Sequence, residues 1–412
     1  MNQATYHILP NGLTLLHLHV PRSLAAHFGV AVRAGSANEN SPEEFGLAHF
    51  VEHTLFKGTA HRSSWHILNR MEAVGGELNA FTTKEDTVVY SSVPKGALSR
   101  SVELIVDLIL NSRFPEKEID KEREVICEEI NSYLDSPADA VYDDFEDILY
   151  ENTPLGHNIL GTVESVRGID SLMCRNWLQK HYYGANMIAF YAGPTALDTF
   201  LKKSESYLML IPSGKREQKT GNISIPDTKI FSETRIAETH QAHTVMGCRL
   251  PRLDIQERIT LALTTNILGG PGMNSLLNIA LRERRGLVYN VESSLSNWND
   301  STLFTTYFGT DPEDTKKCTD IVTRQIELLA HGGMTARKLA AAKKQYKGQL
   351  VLARQNVENR IIGIARATLL HGRALTAAET DKYLAAVTPT DLADMCSRLL
   401  PLSSLTLTAK LD

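Results

Sequence analysis

Two histidines four residues apart with a glutamate between them, His49-Phe50-Val51-Glu52-His53, are the residues of this 412-residue chain best suited to chemistry. On a helix, positions i and i+4 stack on one face, so both imidazoles reach a single metal ion. Neutral imidazole binds zinc well, and a carboxylate one residue before the second ligand is placed to take a proton from a metal-activated water. A catalytic zinc keeps three protein ligands and an open position, so a third ligand must come from another element. The segment 116–134 (EKEIDKEREVICEEINSYL) reads as a helix in which Glu122 and Glu129, seven apart, share a face, while Glu118, Glu124 and Glu128 point elsewhere. One of those two carboxylates can bind the metal and the other can orient a histidine through its ring N–H. Helical spacing alone leaves open which does which.

The elements around these residues alternate between strand and helix patterns. Residues 6–20 read as two short strands about a Pro-Asn-Gly turn, and 27–32 as a third strand. Helices are expected over 45–57 and 63–74, the second ended by Gly75-Gly76, followed by strands 78–81 and 87–93 and helices 98–111 and 116–134. The second half repeats this order with other residues: helix 259–268, a glycine-rich turn, helix 273–284, strands 287–295 and 301–309, then helices 314–331 and 335–355. GVAVRAGSAN near the start has a partner in HTVMGCRLPR. The expected class is α+β, built from two similar halves of about 200 residues joined by the polar stretch 213–227 (SGKREQKTGNISIPD).

Composition narrows the partners. With 43 basic and 48 acidic residues the net charge is −5, and no Lys/Arg block is dense enough to neutralise a run of phosphates, so nucleic acid is not an expected partner. The glycine-rich stretch LGGPGMNS lacks the Lys-Ser/Thr ending and preceding strand of a phosphate loop. Five scattered cysteines without a CxxC pair suggest neither a disulfide framework nor a cysteine metal site. No segment approaches about 18 uninterrupted apolar residues and the first residues lack a secretory pattern, so no membrane partner and a cytoplasmic location are expected. His61, His66, His157, His240 and His243 have no ligand partner in the pattern and read as structural, His157 with a substrate contact as its alternative.

Several motifs together resemble the pitrilysin family of metallopeptidases, whose inverted zinc motif is HxxEH, and within it the short bacterial peptidases related to mitochondrial processing peptidase. They are GLAHFVEHTLFKGT, GGELNAFTTKEDTVVY, EREVICEEI, PLGHNILGT and LGGPGMNSLLNIALRERRGLVYNV, which come in family order and cover most of the chain. The resemblance implies one zinc ion per chain held by His49, His53 and Glu129, the last lying 76 residues after the second histidine, with Glu122 supporting a ligand and Glu52 as general base. It implies that the strand with Asn79, Ala80 and Thr82 binds an unfolded peptide as an added β-strand, and that Arg282 and Tyr289 assist catalysis from the second half, Tyr289 at the oxyanion.

The same resemblance implies a clamshell of two homologous sheet-plus-helices domains, 1–212 catalytic and 228–412 without a metal site, and a zinc-dependent endopeptidase of unfolded peptides or leader segments working as a homodimer. A non-catalytic scaffold, or one subunit of a heterodimeric peptidase, is the alternative. The intact metal and base positions, with both Arg282 and Tyr289 present, favour a self-sufficient enzyme.

Overall fold

In a computed structural model that describes residues 3–215 and 230–409, the first half of the chain builds a six-stranded sheet. Its strands are β1 (Thr5–Ile8), β2 (Thr14–His19), β3 (Ala25–Val32), β4 (Glu77–Thr82), β5 (Thr87–Pro94) and β6 (Met187–Gly193), in the order β1-β2-β6-β3-β5-β4. All neighbours are antiparallel except β2 and β6. The second half builds a five-stranded sheet from β7 (Ser232–Ile236), β8 (Ala242–Pro251), β9 (Val288–Asn297), β10 (Ser301–Thr310) and β11 (Ser403–Thr408), in the order β7-β11-β8-β10-β9. Only β7 and β11 run parallel.

Laid on the first sheet, this is the sequence β2-β6-β3-β5-β4 with every strand sense kept. The internal repeat is therefore a repeat of topology, and the two sequence segments expected to correspond are the central strands β3 and β8. One expected helix comes out differently. In place of a single helix over 273–284, the wider-wound turns of Asn278–Glu283 carry Arg282, after a turn over 271–275; Gly269, at the end of the helix Ile255–Gly269, lies too close to Ser293 of β9 for any side chain.

The described residues form two compact units whose division does not follow the chain at a single point: Arg354–Ala374 belongs to the first unit and Asn131–Gly156 to the second. The linear boundaries 1–212 and 228–412 omit this exchange, and the expected linker 213–227 lies outside the described residues from 216 onward. The cause lies in the burial needs of each sheet. In the first unit one face packs on the helices α1 (Leu47–Leu55), α2 (Ser64–Glu72), α3 (Leu98–Asn111) and α4 (Glu116–Leu134).

The other face is equally apolar, with Leu16, Leu18, Val88, Ile188 and Phe190 all buried, and Ile361, Ile362, Ala365 and Leu369 of helix Val357–His371 cover it. Each such buried aliphatic stabilises by about 1.5–3 kcal/mol relative to exposure, so the face requires a cover. In the second unit α5 (Pro137–Leu149) packs on β8 and β11 in the corresponding way. Among the described residues no helix is long and apolar enough to cross a membrane.

Candidate metal centre

Helix α1 carries HFVEH, and nearly the whole helix is core: Leu47, Ala48, Phe50, Val51 and Leu55 are all at most 3% exposed. Its start is pinned. Gly46 takes the left-handed conformation at φ 89°, and a side chain there would strike the carbonyl of Leu160, so only glycine serves. Two orphan amides of the first turn, Gly46 N–H and Ala48 N–H, donate to the Glu39 carboxylate at 3.0 and 2.9 Å.

Glu39 is wholly buried, which lifts its carboxyl above the ordinary range against the opposing pull of His157 and the two amides. His157 Nε2 lies 2.9 Å from it, and the ring stacks on Phe45 at 4.0 Å between centroids. His157 is thus a buried residue that helps seat α1.

On this fixed helix the two imidazoles stand 4.4 Å apart between ring centroids, as i and i+4 spacing requires. Helix α4 supplies the carboxylates. Its buried stripe is Ile119, Glu122, Ile126, Cys127 and Ile130, so Glu122 is turned inward while Glu129 sits on the rim of the stripe with its side chain 44% exposed. The two glutamates consequently do different things. Glu122 Oε1 accepts from His53 Nδ1 at 3.1 Å, and Glu129 Oε2 faces His53 Nε2 at 3.7 Å.

His49, His53 and Glu129 are the one group among the described residues able to hold a metal ion, with one ligand atom from each lying within 4.8 Å of the others. The His53–Glu129 separation is one that two ligands, each about 2.1 Å from a common ion, can span. His49 Nδ1 is buried without a hydrogen-bond partner, and burial, then His53, push this ring down to about 3, so it stays neutral as a ligand must. The donor set fits zinc.

The surroundings of Glu52 follow from the same packing. Glu52 is 9% exposed, and burial raises its carboxyl above the ordinary range despite a hydrogen bond from Thr82 Oγ1 at 2.9 Å and the nearby His53. For His53 burial opposes the charged form, but the Glu122 hydrogen bond and the charges of Glu52, Glu129 and Glu122 outweigh it and raise the ring. Glu122 goes the other way: burial works against its charge, and hydrogen bonds from His53 and Lys57 prevail and hold it low.

Lys57 is a partner that motif reading passed over. Its Nζ lies 2.7 Å from Glu122 Oε2, and its position four residues after His53 was the available signal. An anionic Glu122 favours the His53 tautomer with its proton on Nδ1, which would leave Nε2 available to a metal. Lys57→Met should therefore weaken zinc binding about 10-fold at neutral pH, the lower end of what loss of an outer partner costs. Competition with a chromophoric chelator measures it, and unchanged affinity would leave Lys57 a surface cation.

The remaining expected residues lie where the strands put them. Asn79, Ala80 and Thr82 are on β4, the edge strand, opposite Tyr90, Val89 and Thr87 of β5. The outer edge of β4 has no strand partner among the described residues, which is what an added strand requires. Arg282 and Tyr289 are exposed residues of the second unit, Tyr289, on β9, at 83%. Ser92, His27 and Glu358 also converge, yet Ser92 Oγ and the Glu358 carboxylate address the same ring nitrogen, His27 Nδ1, at 2.7 and 3.3 Å. A serine nucleophile needs its base and the orienting acid on opposite nitrogens, so this is no hydrolytic triad.

Comparison with known proteins agrees with the geometry. The model of the insulinases (peptidase family M16) matches residues 16–163, which contain the three candidate ligands, and that of the M16 inactive domain matches 173–346. The uncharacterized zinc protease YmxG of Bacillus subtilis is 31% identical over 377 residues, covering 92% of this chain and 91% of that protein. An uncharacterized zinc protease of Mycobacterium bovis is 32% identical over 397 residues, 95% of this chain and 90% of that one.

Among solved structures, a Helicobacter pylori protease superposes with a TM-score of 0.89 at 18% identity, covering 99% of this chain and all of that one. A peptidase M16 inactive domain from Pseudomonas fluorescens gives 0.90 at 17% identity, with 99% and 98% covered. The structural likenesses establish the fold, and the sequence matches, which run through both halves and include the metal cluster, establish descent: the chain belongs to the insulinase family of peptidases, peptidase family M16.

Proposed function

We propose that this chain is a zinc-dependent endopeptidase of extended, unfolded peptides, with one zinc ion per chain held by His49, His53 and Glu129. The observation that carries the reading is the convergence of two neutral or orientable imidazoles and a rim carboxylate from two helices, with a buried second carboxylate, Glu52, hydrogen-bonded beside them. A zinc ion held there supplies Lewis acidity at the scissile carbonyl. Glu52 takes the proton of the attacking water and passes it to the leaving nitrogen, a task suited to a carboxyl that burial raises above the ordinary carboxylate range. Glu122 fixes the His53 ring, Lys57 keeps Glu122 ionised, and β4 offers backbone N–H and C=O groups to the peptide along Asn79, Ala80 and Thr82.

By the resemblance to pitrilysin-type enzymes, Tyr289 hydrogen-bonds the oxyanion, Arg282 holds the substrate backbone or that tyrosine, and the working form is a homodimer. The zinc proteases among its relatives support the peptidase reading, and the intact ligand set counts against a scaffold. An unstructured fluorogenic peptide incubated with the purified chain should be cleaved, and a zinc chelator should stop the cleavage until zinc is restored. Cleavage indifferent to chelation would overturn the metal reading, and zinc bound stoichiometrically without cleavage of any unstructured peptide would favour the subunit alternative.

A further inference from the structure

A helix fixes where a glutamate begins but not where its carboxylate ends. Glu52 leaves a rigid, buried helix, yet three side-chain torsions lie between its Cα and the carboxylate, a freedom that something must remove if the base is to be aimed. Among the described residues the one hydrogen bond to that carboxylate comes from Thr82 Oγ1, at 2.9 Å. Thr82 is the last residue of β4, and alternation along the strand puts it on the same face as Leu78 and Ala80, which pack toward the helical core.

The proton of Thr82 has no better use. Its other neighbour, Thr87 Oγ1 at 3.3 Å, is fully buried and donates its own single proton to the Ala34 carbonyl at 2.8 Å. A charged acceptor at the shorter distance takes the Thr82 proton.

The donor itself is held still. Thr82 pairs with Thr87 on the last rung of the β4–β5 ladder. The turn that follows is tied by Thr83 N–H to the Asp86 carbonyl at 2.8 Å, and Asp86, wholly buried, is clamped by Arg366 of helix Val357–His371 through two hydrogen bonds of 2.7 and 2.9 Å. The hydroxyl that aims the base is thus carried by the edge strand that would receive the peptide, one end of which is anchored.

We propose that Thr82 is a positioning residue: its hydroxyl orients the Glu52 carboxylate and ties the base to the peptide-docking strand, so substrate alignment and proton transfer share one rigid element. This rests on the peptidase reading above.

The test compares the full chain with Thr82→Val, which keeps the shape and removes the hydroxyl, and Thr82→Ser, which keeps the hydroxyl. Zinc content, kcat and KM on an unstructured fluorogenic peptide, and crystal structures of the zinc-loaded forms are measured. All three should bind zinc equally. Thr82→Val should lose about 10–100-fold in kcat, the scale of a lost hydrogen bond to a charged group, with KM within about threefold. Its Glu52 carboxylate should occupy more than one rotamer. Thr82→Ser should return to within about threefold of the parent, with a single rotamer.

The proposal is overturned by a single unchanged Glu52 rotamer in Thr82→Val, by a loss confined to KM, by loss of zinc, or by a serine variant as impaired as the valine one. Unimpaired Thr82→Val beside an inactive Glu52→Gln defeats the positioning role alone. An active Glu52→Gln defeats the peptidase reading on which it rests.

Discussion

Glu52→Gln should keep its zinc and lose its turnover. The substitution preserves side-chain length and leaves an amide oxygen able to accept from Thr82 Oγ1, so the local packing of α1 and the His49–His53 pair should not change. What it removes is the only group on α1 that can take a proton from water beside the metal cluster without being a ligand itself. General acid–base catalysis contributes about 100- to 10,000-fold, so a fall of about 1,000-fold in kcat with little change in KM is expected. Parallel zinc analysis and initial rates on an unstructured peptide decide the matter. A variant that retains zinc and more than a tenth of the parent rate would move the base elsewhere, and a variant that loses zinc would mean Glu52 is a ligand.

The different fates of Glu122 and Glu129 show how far a sequence can be read here. Their seven-residue spacing puts them on one helical face, which is correct, but seven residues on a 3.6-residue helix fall short of two turns by only about 20°, too little for a pattern to separate inside from rim. The separation depends on the stripe Ile119, Ile126, Cys127 and Ile130, into which Glu122 is turned and from which Glu129 is offset. The HFVEH helix and the strand at 78–81 were legible because each has a strong local period, whereas the edge position of that strand was implied only by the resemblance.

Thr82 on Glu52 was not, because the contact joins residues 30 apart and depends on the β4–β5 register and on the tilt of α1 against the sheet. Nor was the exchange of Val357–His371 into the first unit. Ile361, Ile362, Ala365 and Leu369 announce an amphipathic helix, but its apolar stripe would suit either sheet, and only the uncovered face made by Leu16, Leu18, Val88, Ile188 and Phe190 selects one. Lys57 and Glu39 belong between these extremes. The first was within reach of helical spacing, and the second required knowing which amides of α1 lack partners.

The assignment of the third ligand makes the sharpest quantitative claim, since the two carboxylates of α4 should respond differently to the same change. On the proposed assignment, Glu129→Gln removes an anionic ligand from a three-ligand site, whereas Glu122→Gln removes an outer partner of His53. Loss of an outer partner costs about 10–100-fold in metal affinity, so Glu122→Gln should fall in that range, and Glu129→Gln should exceed about 100-fold. Lys57 sharpens the contrast. It would be left facing a neutral amide in Glu122→Gln, while in Glu129→Gln the Lys57–Glu122–His53 chain remains whole and still orients the ring. Chelator competition at fixed pH ranks the two, and thermal unfolding of the zinc-free forms shows whether either variant is damaged apart from the metal. The reverse ranking, with both variants folded, would make Glu122 the ligand and Glu129 the outer group.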